Sequence, residues 1–232
     1  MAPRTAKGDV SVGKVWRWAA YGAVLVIAAA GCSDDGSNEP EQAVLSPSQV
    51  CDSTLKPSAR TALARIGGTE RYTELPGVQV NGDPHRFSVS LAAKRLHSEL
   101  LQRSKCAVYK ADGKNDFPLL DISFAPSSTV PGKDTEAGSK EVLYPLGEFA
   151  SVNSKPGSTY ATLFFACATK EPDGNSAHVK ASLYVPEDQA RPDSTPKDRM
   201  TVLNDVARAL AEQLGCADEA ALPAQVPEPA KG

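Results

Sequence analysis

The chain has 232 residues, with 25 Lys and Arg against 28 Asp and Glu and a net charge of −3. That mildly acidic balance argues against nucleic acid as a partner and against general electrostatic adhesion to anionic lipid. The length is enough for one domain with a full hydrophobic core.

Arg4, Lys7, Lys14 and Arg17 precede an apolar run of 12 residues, Ala19 to Ala30. A membrane-spanning helix needs about 20 apolar residues, a signal-peptide core only about 7–15. No Arg-Arg pair is present, so a twin-arginine route is not indicated. The run closes on Ala29-Ala30-Gly31-Cys32 and gives way at once to Ser33-Asp34-Asp35. Small residues before a cysteine at the end of such a segment resemble the bacterial lipobox, although that pattern prefers Leu where Ala29 stands. The resemblance implies cleavage before Cys32 and a diacylglyceryl group on its sulfur. Residues 1–31 are then a lipoprotein signal peptide, 32–45 a flexible polar tether, 46–220 a single secreted domain and 221–232 an irregular tail. Discarding four basic residues and one acid takes the net charge to −6, and both tryptophans, Trp16 and Trp18, leave with the signal.

Four cysteines remain: Cys51, Cys106, Cys167 and Cys216. An even number outside the cytoplasm predicts two disulfides. Zinc ligands come as closely spaced pairs, and no two of these cysteines are closer than 49 residues, so no metal site is expected.

Along the domain, Ser46-Pro47 starts a short helical turn that carries Cys51. Lys56-Pro57 opens a helix with Ala59, Ala62, Leu63 and Ile66 on one stripe and Gly67-Gly68 at its end. Residues 69–86 read as loop. Ser90 caps a stronger helix over roughly 91–103, with Leu91, Leu96, Leu100 and Leu101 on or near its apolar side. A first hairpin pairs Cys106–Lys110 with a strand in which Leu120, Ile122 and Phe124 alternate with Asp121 and Ser123. Residues 126–158 are a long polar connection, with a minor strand near Val142–Tyr144 or Phe149–Val152; connections this long are often functional. A second hairpin runs from Tyr160 to Thr169, turns at Pro172-Asp173-Gly174-Asn175, and returns with Val179, Ala181, Leu183 and Val185 alternating with His178, Lys180, Ser182 and Tyr184. The last helix has Thr195 as cap, Pro196 at its first position, Asp198 reaching back, and an apolar stripe of Leu203, Val206, Ala207, Leu210 and Leu214. Gly215 stops it.

The fold class that follows is α+β: an antiparallel sheet built from two β-hairpins, with two or three helices packed mainly on one face. In that arrangement Cys51–Cys106 and Cys167–Cys216 each tie a helical segment to the strand it covers. The rival pairing, Cys106–Cys167 with Cys51–Cys216, staples strand to strand and stays open.

Ser48-Gln49-Val50-Cys51, Cys106-Ala107-Val108-Tyr109, Phe165-Ala166-Cys167 and Leu214-Gly215-Cys216-Ala217 with Leu222-Pro223 resemble a group of uncharacterised actinobacterial four-cysteine lipoproteins, common in Streptomyces. A looser likeness is to secreted four-cysteine proteins with a Cys-x-Trp strand, where this chain has Cys106-Ala107-Val108. The resemblance covers most of the domain, its motifs are structural, and it implies no activity.

No Gly-x-Ser-x-Gly, no His-Glu-x-x-His and no Walker loop occurs. His85, His97 and His178 have no metal-ligand spacing and read as surface or edge residues. Phe164 and Phe165 read as core. Tyr160 and Tyr184 could also line a ligand pocket; Tyr184 shares a polar strand face with His178 and Lys180, which reads first as a solvated sheet face, so no ligand-binding residue is assigned. The expected function is a non-catalytic binding or accessory domain, held through Cys32 to lipid on the extracytoplasmic face of the cell membrane, with an envelope protein or ligand as partner and no cofactor. A hydrolase-like secreted enzyme whose residues converge only in space, and a small-ligand receptor, are the alternatives.

Overall fold

The computed structural model describes residues 43–74, 86–113, 117–132, 141–155, 158–171 and 174–230, all within the unit Pro40–Gly232. Cys32, the signal and most of the tether lie outside them, as do His85 and the turn residues 172–173. The described residues form a mixed α+β fold, with four helices and one seven-stranded antiparallel sheet in the order β1-β2-β3-β7-β6-β5-β4.

Both expected hairpins are present. Strand β2 (Cys106–Lys110) pairs with β3 (Leu120–Ser127), and β6 (Ser158–Glu171) with β7 (Gly174–Pro186). They join where β3 lies against β7, with Ile122 opposite Leu183. The sheet nevertheless exceeds two hairpins. Strand β1 (Tyr72–Glu74) comes from the stretch expected to be loop and pairs with β2. Strands β4 (Glu141–Leu143) and β5 (Phe149–Lys155) come from the connection 126–158, and β5 forms a third hairpin with β6. The minor strand expected near Val142–Tyr144 or Phe149–Val152 is thus two strands, one at each place, paired with each other; β1 escapes notice because three residues are too few to show alternation. In β5 the buried Ala150 and Val152 are small, while the half-buried Phe149 sits on the opposite face and blurs the pattern.

Helix α1 (Pro57–Gly67) ends as expected at Gly68, in the left-handed region at φ 68°. The helix expected over 91–103 is instead short. Helix α2 (Val89–Lys94) starts at an Ser88 cap position and stops at Arg95, and a separate 3-10 turn covers Leu100–Gln102. Beyond Arg95 the chain turns, with the Leu96 and Ser98 N–H groups donating to the Ala93 and Arg95 carbonyls in i→i−3 fashion, and Arg103 Nε donates to the Ser98 carbonyl at 2.9 Å. With the helix ended at Arg95, Leu100 and Leu101 fall on the separate turn and are 75% and 77% exposed.

Helix α3 (Pro196–Leu214) carries the full capping box between Thr195 and Asp198 and ends at Gly215, φ 78°. Leu203, Val206, Ala207 and Leu210 are buried and Leu214 is half-buried. The helix packs on β6, β7 and β5, and α1 and α2 pack on α3. Helix α4 (Ala217–Ala220) follows Cys216. Cys51 is bonded to Cys106 and Cys167 to Cys216, with Cα separations of 5.5 and 5.3 Å, so the helix-to-strand pairing holds and the strand-to-strand rival falls. The tail beyond α4 is irregular yet fixed. Asn204 Nδ2 donates to the Pro223 carbonyl at 2.9 Å, Val226 is buried, and the Ala230 N–H reaches the Leu143 carbonyl at 2.8 Å.

Candidate functional site

In a strand, successive side chains point to opposite faces. The core takes Leu120, Ile122 and Phe124 from β3, Val179, Ala181, Leu183 and Val185 from β7, and Leu163, Phe165 and Cys167 from β6. The residues between them define the other face of the sheet. Because paired residues share a face, the register sorts that face into rows. Asp121, Tyr184, Tyr160 and Asn153 form one row. Ser123, Ser182, Thr162 and Ser151 form the next, a line of four hydroxyls. Ala125, Lys180, Phe164 and Phe149 form the third.

A groove of about 610 Å³ runs over these rows. Its floor includes Tyr160, Tyr184, Ser123, Thr162 and Ser182. Leu100, Leu101, Arg103 and Lys105, from the 3-10 turn and the segment leading into β2, line it too, so that turn makes a wall. The tyrosine rings meet with centroids 5.1 Å apart, tilted by 44°. Tyr160 is 41% exposed. Lys180 sits 5.8 Å above the Phe164 ring, and Phe149 meets Phe164 edge-on at 6.1 Å. Lys105 Nζ lies 3.5 Å from Asp121 Oδ2. A second hollow, lined by Pro131 on the far side, shares Tyr160, Thr162 and Lys180 with the groove, so the trough continues across β6 and β5.

Residues that the sequence placed on a polar sheet face lie here. Tyr184 and Lys180 occupy the outward face, and Tyr160 joins them. Phe165 is core as expected, whereas Phe164, the next residue back along the strand, faces outward. His178 lies one row past Lys180, opposite Ser127 and Ala166, and does not line the groove. His97 lies in the turn after α2, also outside the lining. Sequence reasoning missed Leu100, Leu101, Arg103 and Lys105 as site residues. The alternation that pointed Asp121 and Ser123 outward was the available signal for those two.

A different cluster surrounds Glu74. Cys51, Glu74 and Cys106 place ligand-type atoms within 4.8 Å of one another, the one such group of three among the described residues. Both sulfurs are spent on the disulfide, so the cluster is structural. The turn carrying Cys51 is 3-10 with left-handed dihedrals, φ 49°, 59° and 58° at Cys51, Asp52 and Ser53, each costing roughly 1–2 kcal/mol for a non-glycine residue. Hydrogen bonds hold it: the Glu74 carboxylate accepts the Cys51 N–H, and Asp52 accepts the Val89 N–H at 2.9 Å. Burial pushes the Glu74 carboxyl above its ordinary value, with the Cys51 N–H and Arg86 opposing and Asp52 adding.

No protein-family model, curated protein or solved structure matches the chain. Among the described residues no helix is long and apolar enough to cross a membrane.

Proposed function

We propose that this chain is a lipid-anchored extracytoplasmic lipoprotein whose domain is a non-catalytic binding module. The helices serve mainly one face of the sheet, and the other face takes the ligand. The observation that carries the binding reading is the groove beside Leu100 and Leu101, floored by the Tyr160–Tyr184 pair and the hydroxyls of Ser123, Ser182 and Thr162. Its volume falls within the roughly 300–1,000 Å³ of small-molecule sites, which combine apolar walls with a few placed polar groups. The lining contains hydroxyls and a carboxylate but no histidine that could act as their base, which supports binding over hydrolysis. Two disulfides support an oxidising compartment. The anchor rests on Ala29-Ala30-Gly31-Cys32.

A photo-crosslinking residue tests the binding face. Installed at position 160 in the protein's own envelope, it should form an adduct that is absent when the same residue replaces the exposed Gln213 on α3. Equal labelling at both positions, or none at 160, defeats the reading. For the anchor, mass spectrometry should find a diacylglyceryl-modified Cys32 at the mature N-terminus, and Cys32→Ala should release the protein or leave it unprocessed.

A further inference from the structure

We propose that the groove takes a single-chain amphipathic anion: an acyl chain bearing a carboxylate or phosphate head. This rests on the outer face being the binding face. Three observations define the ligand. The first is polarity along the strands. Rows on one face are spaced by two residues, about 7 Å at 3.3–3.4 Å per residue. The hydroxyls of Ser123, Ser182 and Thr162 therefore lie between the Tyr184–Tyr160 row and the row of Lys180. A head group on the hydroxyls meets Lys180 on one side, and a chain runs the other way over the tyrosine rings.

The second is charge. Arg103, Lys105 and Lys180 line the groove with one acid, Asp121, which faces Lys105 at 3.5 Å. The whole chain carries more acids than bases, so the groove inverts the overall balance. Among the described residues no carboxylate forms an ion pair with Lys180, whose ammonium sits over the Phe164 ring. An anion would supply the missing charge within a largely apolar setting, where charge-assisted hydrogen bonds are strong.

The third is the wall. Leu100 and Leu101 are consecutive, exposed and held on a turn at the groove's edge. They offer no hydrogen bond, so a ligand that covers them needs an apolar part. A sugar would satisfy the hydroxyls and leave the leucines in water. A purely apolar ligand would bury the hydroxyls and Lys180 without partners. A peptide strand would seek a sheet edge, and this groove lies over the sheet's centre.

The test uses the full chain and four probes, each below its micellar concentration: oleate, lysophosphatidylglycerol, zwitterionic lysophosphatidylcholine and neutral dodecyl maltoside. Titration calorimetry reads affinity for the parent, for Lys180→Gln, for the double variant Leu100→Ser with Leu101→Ser, and for Lys197→Gln on α3 as control. Unchanged melting curves establish that the variants fold. At least one anion should bind one-to-one and at least tenfold tighter than both other probes. Oleate alone binding assigns a free carboxylate head, lysophosphatidylglycerol alone a phosphate, and either result supports the proposal. Lys180→Gln should abolish the anion preference, the double leucine variant should weaken every amphiphile tenfold or more, and Lys197→Gln should change nothing. Equal affinity for charged and uncharged probes, unaffected by Lys180→Gln, overturns the anion assignment while leaving a binding groove. Affinities that no groove variant alters overturn the proposal outright. If a photo-adduct still forms at position 160, the binding face stands with another ligand; if none forms, both fall.

Discussion

Asp205, midway along α3, accepts the backbone N–H of Lys56 at 2.7 Å, across 149 residues of chain. That N–H belongs to the cap position of α1. Near the other end of α1, Arg65 donates to Asp198, in the first turn of α3. The two carboxylates lie about two turns apart on α3, so α1 is clamped at both ends to the helix that contacts β5, β6 and β7.

Replacing Asp205 separates its acceptor from its charge. Asp205→Ala leaves the Lys56 N–H without a partner and should cost about 1–3 kcal/mol. Asp205→Asn keeps an acceptor oxygen and removes a carboxylate whose burial pushes its pKa up; it should stay within about 1 kcal/mol of the parent. Urea unfolding at neutral pH measures both. Equal losses would mean that the charge, not the acceptor, holds the helix.

Glu74 and Asp198 should pull stability in opposite directions with pH. The folded Glu74 carboxyl lies above its ordinary value of 4.5, so the native state holds this proton more tightly than the unfolded one. Its contribution becomes more favourable as pH falls through the raised value towards 4.5. Relative to Glu74→Gln, the parent should gain stability over that window. Asp198 is different: burial pushes it up, but Arg65 and the Thr195 groups together outweigh this and hold it below its ordinary 3.8. Its contribution is complete above 3.8 and is lost as pH falls through the lowered value. Melting curves from pH 7 to pH 3 for the parent, Glu74→Gln and Asp198→Asn should show both signs. A Glu74→Gln difference that stays flat would remove the buried-carboxylate account of the Cys51 turn.

Two glycines test left-handed backbone with and without crowding. Gly215 ends α3 at φ 78° with open space where a Cβ would stand. Gly215→Ala should cost about 1–2 kcal/mol, the conformational term alone. Gly147, between β4 and β5, has φ 58°, and its Cβ would collide with the Phe164 carbonyl oxygen. Gly147→Ala should cost clearly more and disturb the outward Phe164. Chemical denaturation ranks the two, and the reverse order would refute the crowding at Gly147.

The buried stripe of α3 gives a direct comparison. Leu210 is buried in the core and Arg208 is half-buried. Leu210→Ala should cost about 2–5 kcal/mol, while Arg208→Ala should stay within about 0.5 kcal/mol. Similar small effects in thermal melts would place the stripe outside the core.

Elements with local chemistry were legible in the sequence. Thr195, Pro196, Asp198 and Gly215 mark α3 because caps depend on neighbours a few residues away. The alternations through Ile122 and through Ala181 and Leu183 reveal strands with one buried face. The disulfide pairing followed from asking which helical segment covers which strand. Other features depend on distant partners. Leu100 and Leu101 would complete a helical stripe, but α2 ends at Arg95 and they lie on a separate 3-10 turn, exposed. Phe149 blurs the period of β5, so the strand showed only as a short alternative near Phe149–Val152 and not at its full length to Lys155. The groove was legible only as a face: Tyr184 and Lys180 could be placed together, but the register that sets Tyr160 beside Tyr184 and Ser123 beside Ser182 joins residues dozens of positions apart.

The margins of the sheet carry one more consequence. Leu45 exchanges both backbone hydrogen bonds with Tyr72, at 2.7 and 2.9 Å, along the open side of β1. At the opposite margin the Ala230 N–H bonds the Leu143 carbonyl of β4. An uncovered edge strand is a template for pairing with another copy, and here the flanking segments occupy part of both. Trimming back past Leu45 or Ala230 would remove little core, yet it would free a strand margin, and the trimmed protein should self-associate at concentrations where the parent stays monodisperse. Where the chain is cut on either side should therefore be read in self-association as well as in folding.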